Sequence, residues 1–220
     1  MRWSVAILFA LLTALPIPGA FAAGAKPYFL VATPQMGDPI FGGSVIMMIP
    51  TIDAPLLAGV IVNKPTTTSP QEVFPHFPAL KNGPNSAYFG GPVDNGQAIV
   101  ALRASHPPAK ALHVFDDVYV SADADTIAQI IKDNTDGTNL RIFLGRAQWL
   151  NEQLHTEIMA GAWYVMPADA AQVFDADPTH LWRKLVDQGE LQEVRFVLPF
   201  GHAASVANSS SRNLGRPDGH

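Results

Sequence analysis

Few stretches of this 220-residue chain combine side chains that could do chemistry. Asn63-Lys64-Pro65 closes the apolar run 57–62 and sets a carboxamide beside a primary amine where a strand would end. The structural alternative is that Asn63 bonds nearby backbone and Pro65 stops the strand, and that role is weighed ahead of ligand binding. Gly90-Gly91-Pro92-Val93 closes a second apolar run, 87–89. Consecutive glycine N–H groups can form an anion nest, but a turn at positive φ is the simpler reading. Gly42-Gly43-Ser44 resembles half of a nucleophile elbow; the glycine needed two residues after the serine is missing, and Ser44 opens a strand rather than a strand-to-helix turn.

Other constellations are thinner. The seven histidines, at 76, 106, 113, 155, 180, 202 and 220, lack zinc-ligand spacing, so no metal site is expected. Asp116, Asp117, Asp123 and Asp125 could attract calcium, yet they lack the EF-hand spacing and its glycine. Capping and solvation explain them better. Trp149 and Trp163 read as core anchors before they read as a stacking pair for a ligand. Neither a Walker loop nor a dinucleotide glycine pattern occurs, and no cofactor is expected. The absence of cysteine excludes thiolate nucleophiles and disulfides.

The elements that must position these residues follow from periodicity and punctuation. Strands are predicted at 28–33, 44–49, 57–62, 86–89 and 97–102, with a hairpin strand within 112–121, then 140–144 and 162–165. A turn is expected at Asp94-Asn95-Gly96. Ser69 before Pro70 can open a short helix, and Ser121 or Asp123 can cap another that carries Ile127, Ile130 and Ile131 on one face. A helix over 147–159 follows from Leu150, Leu154 and Ile158, with Gly145 ending the strand before it. Asp177-Pro178 opens a last helix with Leu181 and Leu185 on one face, and 192–198 is predicted as a final strand. Strands come first and helices later without strict alternation, which predicts an α+β fold rather than a doubly wound parallel sheet.

Composition sets the context. Hydrophobic residues make up 48% and charged residues 15%, enough apolar material for one sizeable core. The net charge of −5 argues against nucleic-acid binding, which needs cations on phosphates. Residues 1–22 read as a secretory signal peptide: Arg2, an apolar run too short to span a bilayer, then Ala20-Phe21-Ala22 as the cleavage site. Export to the periplasm or medium is the expectation, with no transmembrane segment after cleavage. Residues 23–202 would form a single domain, and 203–220 a disordered polar tail.

Phe29-Leu30-Val31-Ala32-Thr33-Pro34, Asp38-Pro39-Ile40-Phe41 and Ser44-Val45 resemble the opening of the YqgE/AlgH family. Gly59-Val60-Ile61-Val62-Asn63-Lys64-Pro65 is similar to that family's Gly-Leu-Val-Ile-Asn-Lys-Pro segment, and Gly90-Gly91-Pro92-Val93 to its Gly-Gly-Pro-Val turn. Leu144-Gly145, Trp149, Gln153-Leu154, Glu157, Trp163, Pro167-Ala168-Asp169 and Phe174-Asp175 continue the likeness. Two places depart from it: Gly43 stands where the family commonly carries Arg, and Gln148, Leu150, Asn151 and Glu152 replace small residues. The resemblance implies an α+β fold with a small closed or bifurcated sheet surrounded by helices, and no established activity. The family's proposed regulatory link is disfavoured here by the signal peptide and the acidic charge.

Taken together, the chain is expected to be an exported, non-catalytic protein that binds a protein or small ligand through a surface built on Asp38, Asn63, Lys64, Gly90, Gly91 and Trp149. A hydrolase using Ser44 or an acid such as Asp38 is the alternative enzyme class.

Overall fold

A computed structural model describes residues 27–50, 55–77, 86–133 and 139–197. The expected signal peptide 1–22, most of the connection 51–55, the expected turn at 134–139 and the expected polar tail 203–220 lie wholly or largely outside the described residues. Nine strands form the framework: β1 Tyr28–Ala32, β2 Val45–Ile49, β3 Leu56–Ile61, β4 Tyr88–Phe89, β5 Val93–Arg103, β6 Leu112–Phe115, β7 Val118–Ser121, β8 Leu140–Leu150 and β9 Trp163–Pro167. The helices are α1 Pro70–Val73, α2 Ala124–Asp133, α3 Asn151–Met159, α4 Ala170–Val173 and α5 Leu181–Val197, with a 3-10 turn at Pro178–His180.

The strand order is β6-β7-β5-β8-β3-β2-β1-β9, with β4 set against β8 off this path. Every pairing is antiparallel except β4 with β8. The expected α+β class therefore stands, but the path is open, a curled half-barrel with β6 and β9 at its ends. Curling is visible in one cavity lined by both Ile49 of β2 and Leu112 of β6. Five strand spacings separate β2 from β6, about 24 Å in a flat sheet.

Two faces result. The concave side packs Phe29, Met47, Val60, Phe143, Val118 and Val120 against Leu181, Leu185 and Val186 of α5 and Val173 of α4. The convex side carries two separate layers. One sets Ile127, Ile130 and Ile131 of α2 on Val100, Leu102, Leu140 and Ile142. The other sets Leu154 of α3 among Leu30, Ile46, Ile61, Trp149 and Trp163.

Two expectations are corrected. The strand predicted to end at Gly145 continues to Leu150, and α3 begins only at Asn151. Gly145 adopts φ +73 and acts as an irregularity inside the strand rather than its end. Before it, Phe143 faces the concave core; after it, Ala147 and Trp149 face the convex layer while Arg146 and Gln148 line the concave cavity. The alternation resumes on the opposite parity, which hid the strand within an apparent helical stripe. Of that stripe Leu154 is buried, but Leu150 is 53% exposed.

The strand predicted at 192–198 is instead the end of α5, which runs to Val197. Gly189 does not break this helix. A Cβ there would lie 2.9 Å from the Tyr164 ring, so the missing side chain lets α5 lie close to β9.

The local signals for caps hold. Ser69 and Glu72 form a reciprocal capping box on α1. Asp123 Oδ1 accepts from the Thr126 N–H at 3.0 Å at the start of α2.

Candidate functional site

The polar residues singled out from the sequence converge on the loop 34–44 between β1 and β2. Asp38 Oδ1 accepts from the N–H groups of Ile40 and Phe41 at 2.7 and 2.8 Å, a side-chain-closed turn. Its carbonyl accepts from Gly42 N–H at 2.8 Å. Asn63, just beyond β3, reaches across to the start of β2. Its Oδ1 accepts from Val45 N–H at 2.7 Å, and its Nδ2 donates to the Gly43 carbonyl at 2.9 Å. The side-chain amide thus stands in for a peptide group and extends the β2–β3 ladder beyond the bond from Val62 N–H to the Val45 carbonyl. Lys64 Nζ donates to the carbonyls of Ile40 and Gly42 at 2.6 and 3.0 Å. Burial holds this amine below its ordinary pKa, and the Asp38 carboxylate nearby pulls it partly back.

Ser44 closes the same loop. It is fully buried, and its Oγ donates to the Phe41 carbonyl at 2.6 Å. With its hydroxyl tied to a carbonyl and shut off from solvent, Ser44 is not placed as a nucleophile, and neither histidine nor carboxylate is among its hydrogen-bond partners.

Trp149 anchors the loop from the other side. The Phe41 ring lies 5.6 Å from the Trp149 ring and 5.8 Å from the Trp163 ring, and the two indoles meet edge to face at 6.0 Å. Both indole N–H groups donate to the same Glu157 oxygen, at 3.1 Å from Trp149 and 2.9 Å from Trp163. Gln153 Nε2 occupies the other oxygen at 2.9 Å. Glu157 on α3 is therefore the polar centre of the convex layer.

Gly90 and Gly91 serve a different contact. Gly90 N–H donates to the Leu144 carbonyl at 2.8 Å, and its carbonyl accepts from Ile61 N–H at 3.0 Å, so both groups join the sheet. A Cβ on Gly91 would lie 2.2 Å from the Arg146 carbonyl carbon, and one on Gly145 2.5 Å from the Gly91 carbonyl oxygen. The two backbones cross where only glycine fits, which is the turn reading rather than an anion nest.

Of the predicted surface, the structure brings Asp38, Asn63, Lys64 and Trp149 together and sets Gly90 and Gly91 apart, at the β4–β8 crossing. The accessible concave space lies elsewhere. A cavity of about 390 Å³ opens on the concave face, and among the described residues it is lined by strand and loop residues alone. Its floor includes the cross-strand row Ile49, Ala58 and Gln148. Arg146 and Lys110 supply its charge. Arg146 Nε donates to Gln148 Oε1 at 3.2 Å and its Nη1 pairs with Asp94. Lys110 Nζ pairs with Asp123 at 3.0 Å. Sequence reasoning did not find these residues. The alternation of Arg146 and Gln148 with Ala147 and Trp149 was the available signal.

A second charged side chain is enclosed. Arg141 on β8 donates to the carbonyls of Leu140, Phe174 and Asp175 and lies over the Tyr88 and Phe174 rings at 5.9 and 5.6 Å. Burial raises the Tyr88 pKa, and the Arg141 charge opposes that rise. Among the described residues, no group of three or more histidines and acids is arranged to hold a metal, and no helix is long and apolar enough to cross a membrane.

The architecture is that of an α+β half-barrel whose signature residues bond its own backbone at a strand junction. The chain belongs to the AlgH-like family, whose model matches residues 29–192. Among curated relatives, a UPF0301 protein from Thermobifida fusca is 37% identical over 183 residues, covering 79% of this chain and 90% of the relative. Another from Azoarcus is 31% identical over 191 residues, covering 83% and 98%. The fold is shared with the AlgH protein from Pseudomonas aeruginosa at a TM-score of 0.61 and 24% identity, covering 84% of this chain and all of that one. A protein from Corynebacterium diphtheriae aligns at a TM-score of 0.63 and 22% identity, covering 74% and 87%.

Proposed function

We propose that this protein is an exported, non-catalytic binding protein whose ligand surface is the open concave groove. The observation that carries this reading is the division of labour among its polar residues. Asp38, Ser44, Asn63 and Lys64 are bound to backbone around one loop, whereas Arg146, Lys110 and Gln148 line a cavity with an apolar floor. An apolar concavity with a few convergent polar groups is the common form of a small-molecule site. Export rests on the N-terminal pattern of residues 1–22. The acidic net charge of −5 supports a ligand other than nucleic acid.

The test is native mass spectrometry of the protein purified from its own compartment. The expected result is a chain beginning at Ala23 and carrying a small molecule that is lost on denaturation. A chain retaining residues 1–22 would overturn export, and a ligand-free native species would overturn the binding reading.

A further inference from the structure

Resting on the groove as the ligand surface, we propose that its ligand is an amphipathic monocarboxylate of the medium-chain fatty-acid type. The floor is aliphatic: Ile49, Leu56, Ala58, Ile99, Leu112 and Val120 come from β2, β3, β5, β6 and β7, five strands that the curl brings round one space. A volume of about 390 Å³ suits a small molecule and is too confined for a folded partner. Among the described residues the lining contains two cations, Arg146 and Lys110, and no acid, although the chain as a whole carries −5. An apolar chain with one anionic end complements both parts of this surface.

The details of the polar end favour a single negative charge. Arg146 is pinned by Gln148 at Nε and by Asp94 at Nη1, which fixes the plane of the guanidinium while leaving further N–H donors on its fork. Because Gln148 Oε1 is already an acceptor for Arg146, its Nε2 is the group free to donate. A fixed guanidinium beside an amide N–H matches the two oxygens of a carboxylate. Asp94 and Asp123 each pair with one of the two cations and offset part of its charge. With each cation already sharing its charge with one carboxylate, a single negative charge is a better match than a dianion such as a phosphate monoester. A neutral head such as a hydroxyl would return a weaker hydrogen bond for desolvating the Arg146 donors than a carboxylate does.

The experiment is titration of the full chain, freed of any retained ligand, with decanoate, decanol and acetate, followed by calorimetry and by amide chemical shifts. Saturable one-to-one binding of decanoate is expected, with decanol and acetate each at least tenfold weaker. The shifts should map to 99, 110–112, 120–122 and 146–148. In Arg146→Gln, decanoate should weaken to the level of decanol. In Ala58→Trp, which fills the floor, decanoate and decanol should both stop binding. Equal affinity for decanol and decanoate in the unaltered chain overturns the carboxylate and leaves the groove reading intact. Absence of saturable decanoate binding also overturns the proposal, as does unchanged affinity in a folded Arg146→Gln protein. Because the ligand comparison uses the unaltered chain, it holds even if a variant misfolds.

Discussion

Asn63 gives the sharpest division between a residue that binds a ligand and one that builds the fold. Asn63 is only 7% exposed, and both ends of its amide are paired: Oδ1 with Val45 N–H at 2.7 Å and Nδ2 with the Gly43 carbonyl at 2.9 Å. Asn63→Ala strips both partners at once. A buried polar group left unpaired costs about 1–3 kcal/mol, so the two together should cost about 2–5 kcal/mol. For a domain of this size, each kcal/mol lowers the Tm by about 2–4 °C. The assay is urea unfolding and a thermal scan of the variant beside the parent chain.

Asn63→Asp refines the same test, because it keeps the acceptor for Val45 N–H and places a second oxygen against the Gly43 carbonyl. Only a protonated carboxyl can donate to that carbonyl. The folded-state pKa of the new acid is therefore raised above its unfolded value. The sign follows: its stability is closest to that of the parent at low pH, and the gap widens as pH rises through the raised pKa. An Asn63→Ala protein within about 0.5 kcal/mol of the parent, the range typical of inert surface changes, would refute the structural reading. A gap for Asn63→Asp that narrows as pH rises would refute the geometry.

Three further outcomes are expected. Gly91→Ala should cost about 3 kcal/mol or more or prevent folding, because its Cβ would meet backbone atoms of Arg146 and Ala147 at 2.2–2.4 Å; expression with circular dichroism checks this. Glu157→Leu should destabilise by about 2–5 kcal/mol, as two buried indole N–H groups lose their acceptor, and Glu157→Gln by clearly less; denaturation followed by tryptophan fluorescence separates them. Asp123 is held at about 2, first by the Thr126 backbone N–H and then by the Lys110 and Thr126 side chains. Because this pKa lies below the ordinary 3.8, its contribution is complete above that value and is lost as pH falls towards 2, so the stability gap between the parent and Asp123→Ala should close over that window in acid unfolding curves.

Local signals made much of the fold readable in the chain. The uniformly apolar runs of β1, β2 and the second half of β3 are covered on both faces, and Ser69, Asp123 and Asp177 cap the elements they precede. What could not be read was the consequence of conformations set by distant packing. Gly145 looks like a strand end because nothing local says that Gly91 will press against it. Gly189 and the mixed pattern after it look unlike a helix until the Tyr164 ring explains the missing side chain. The same limit applies to the candidate site. Asn63 and Lys64 were identifiable as unusual, but their partners lie 18 to 24 residues away in the chain, so their role as backbone partners was visible only in the fold. The groove was least legible, because each of six strands contributes only one or two of its residues.

The order in which the chain is made gives the position of β8 a temporal meaning. Its flanking strands, β3 and β5, end at Ile61 and Arg103, yet the strand that joins them begins only at Leu140. At about 5–20 residues per second, roughly 4–16 s pass between synthesis of Ile61 and arrival of Leu140. Throughout that interval β3 has an unpaired edge, and from the completion of β5 at Arg103 a second edge waits beside it, both open to pairing with other chains. A chain truncated near residue 135 should therefore be protease-sensitive and prone to self-association, whereas one extended beyond residue 160 should become resistant as the half-barrel is sewn through its middle.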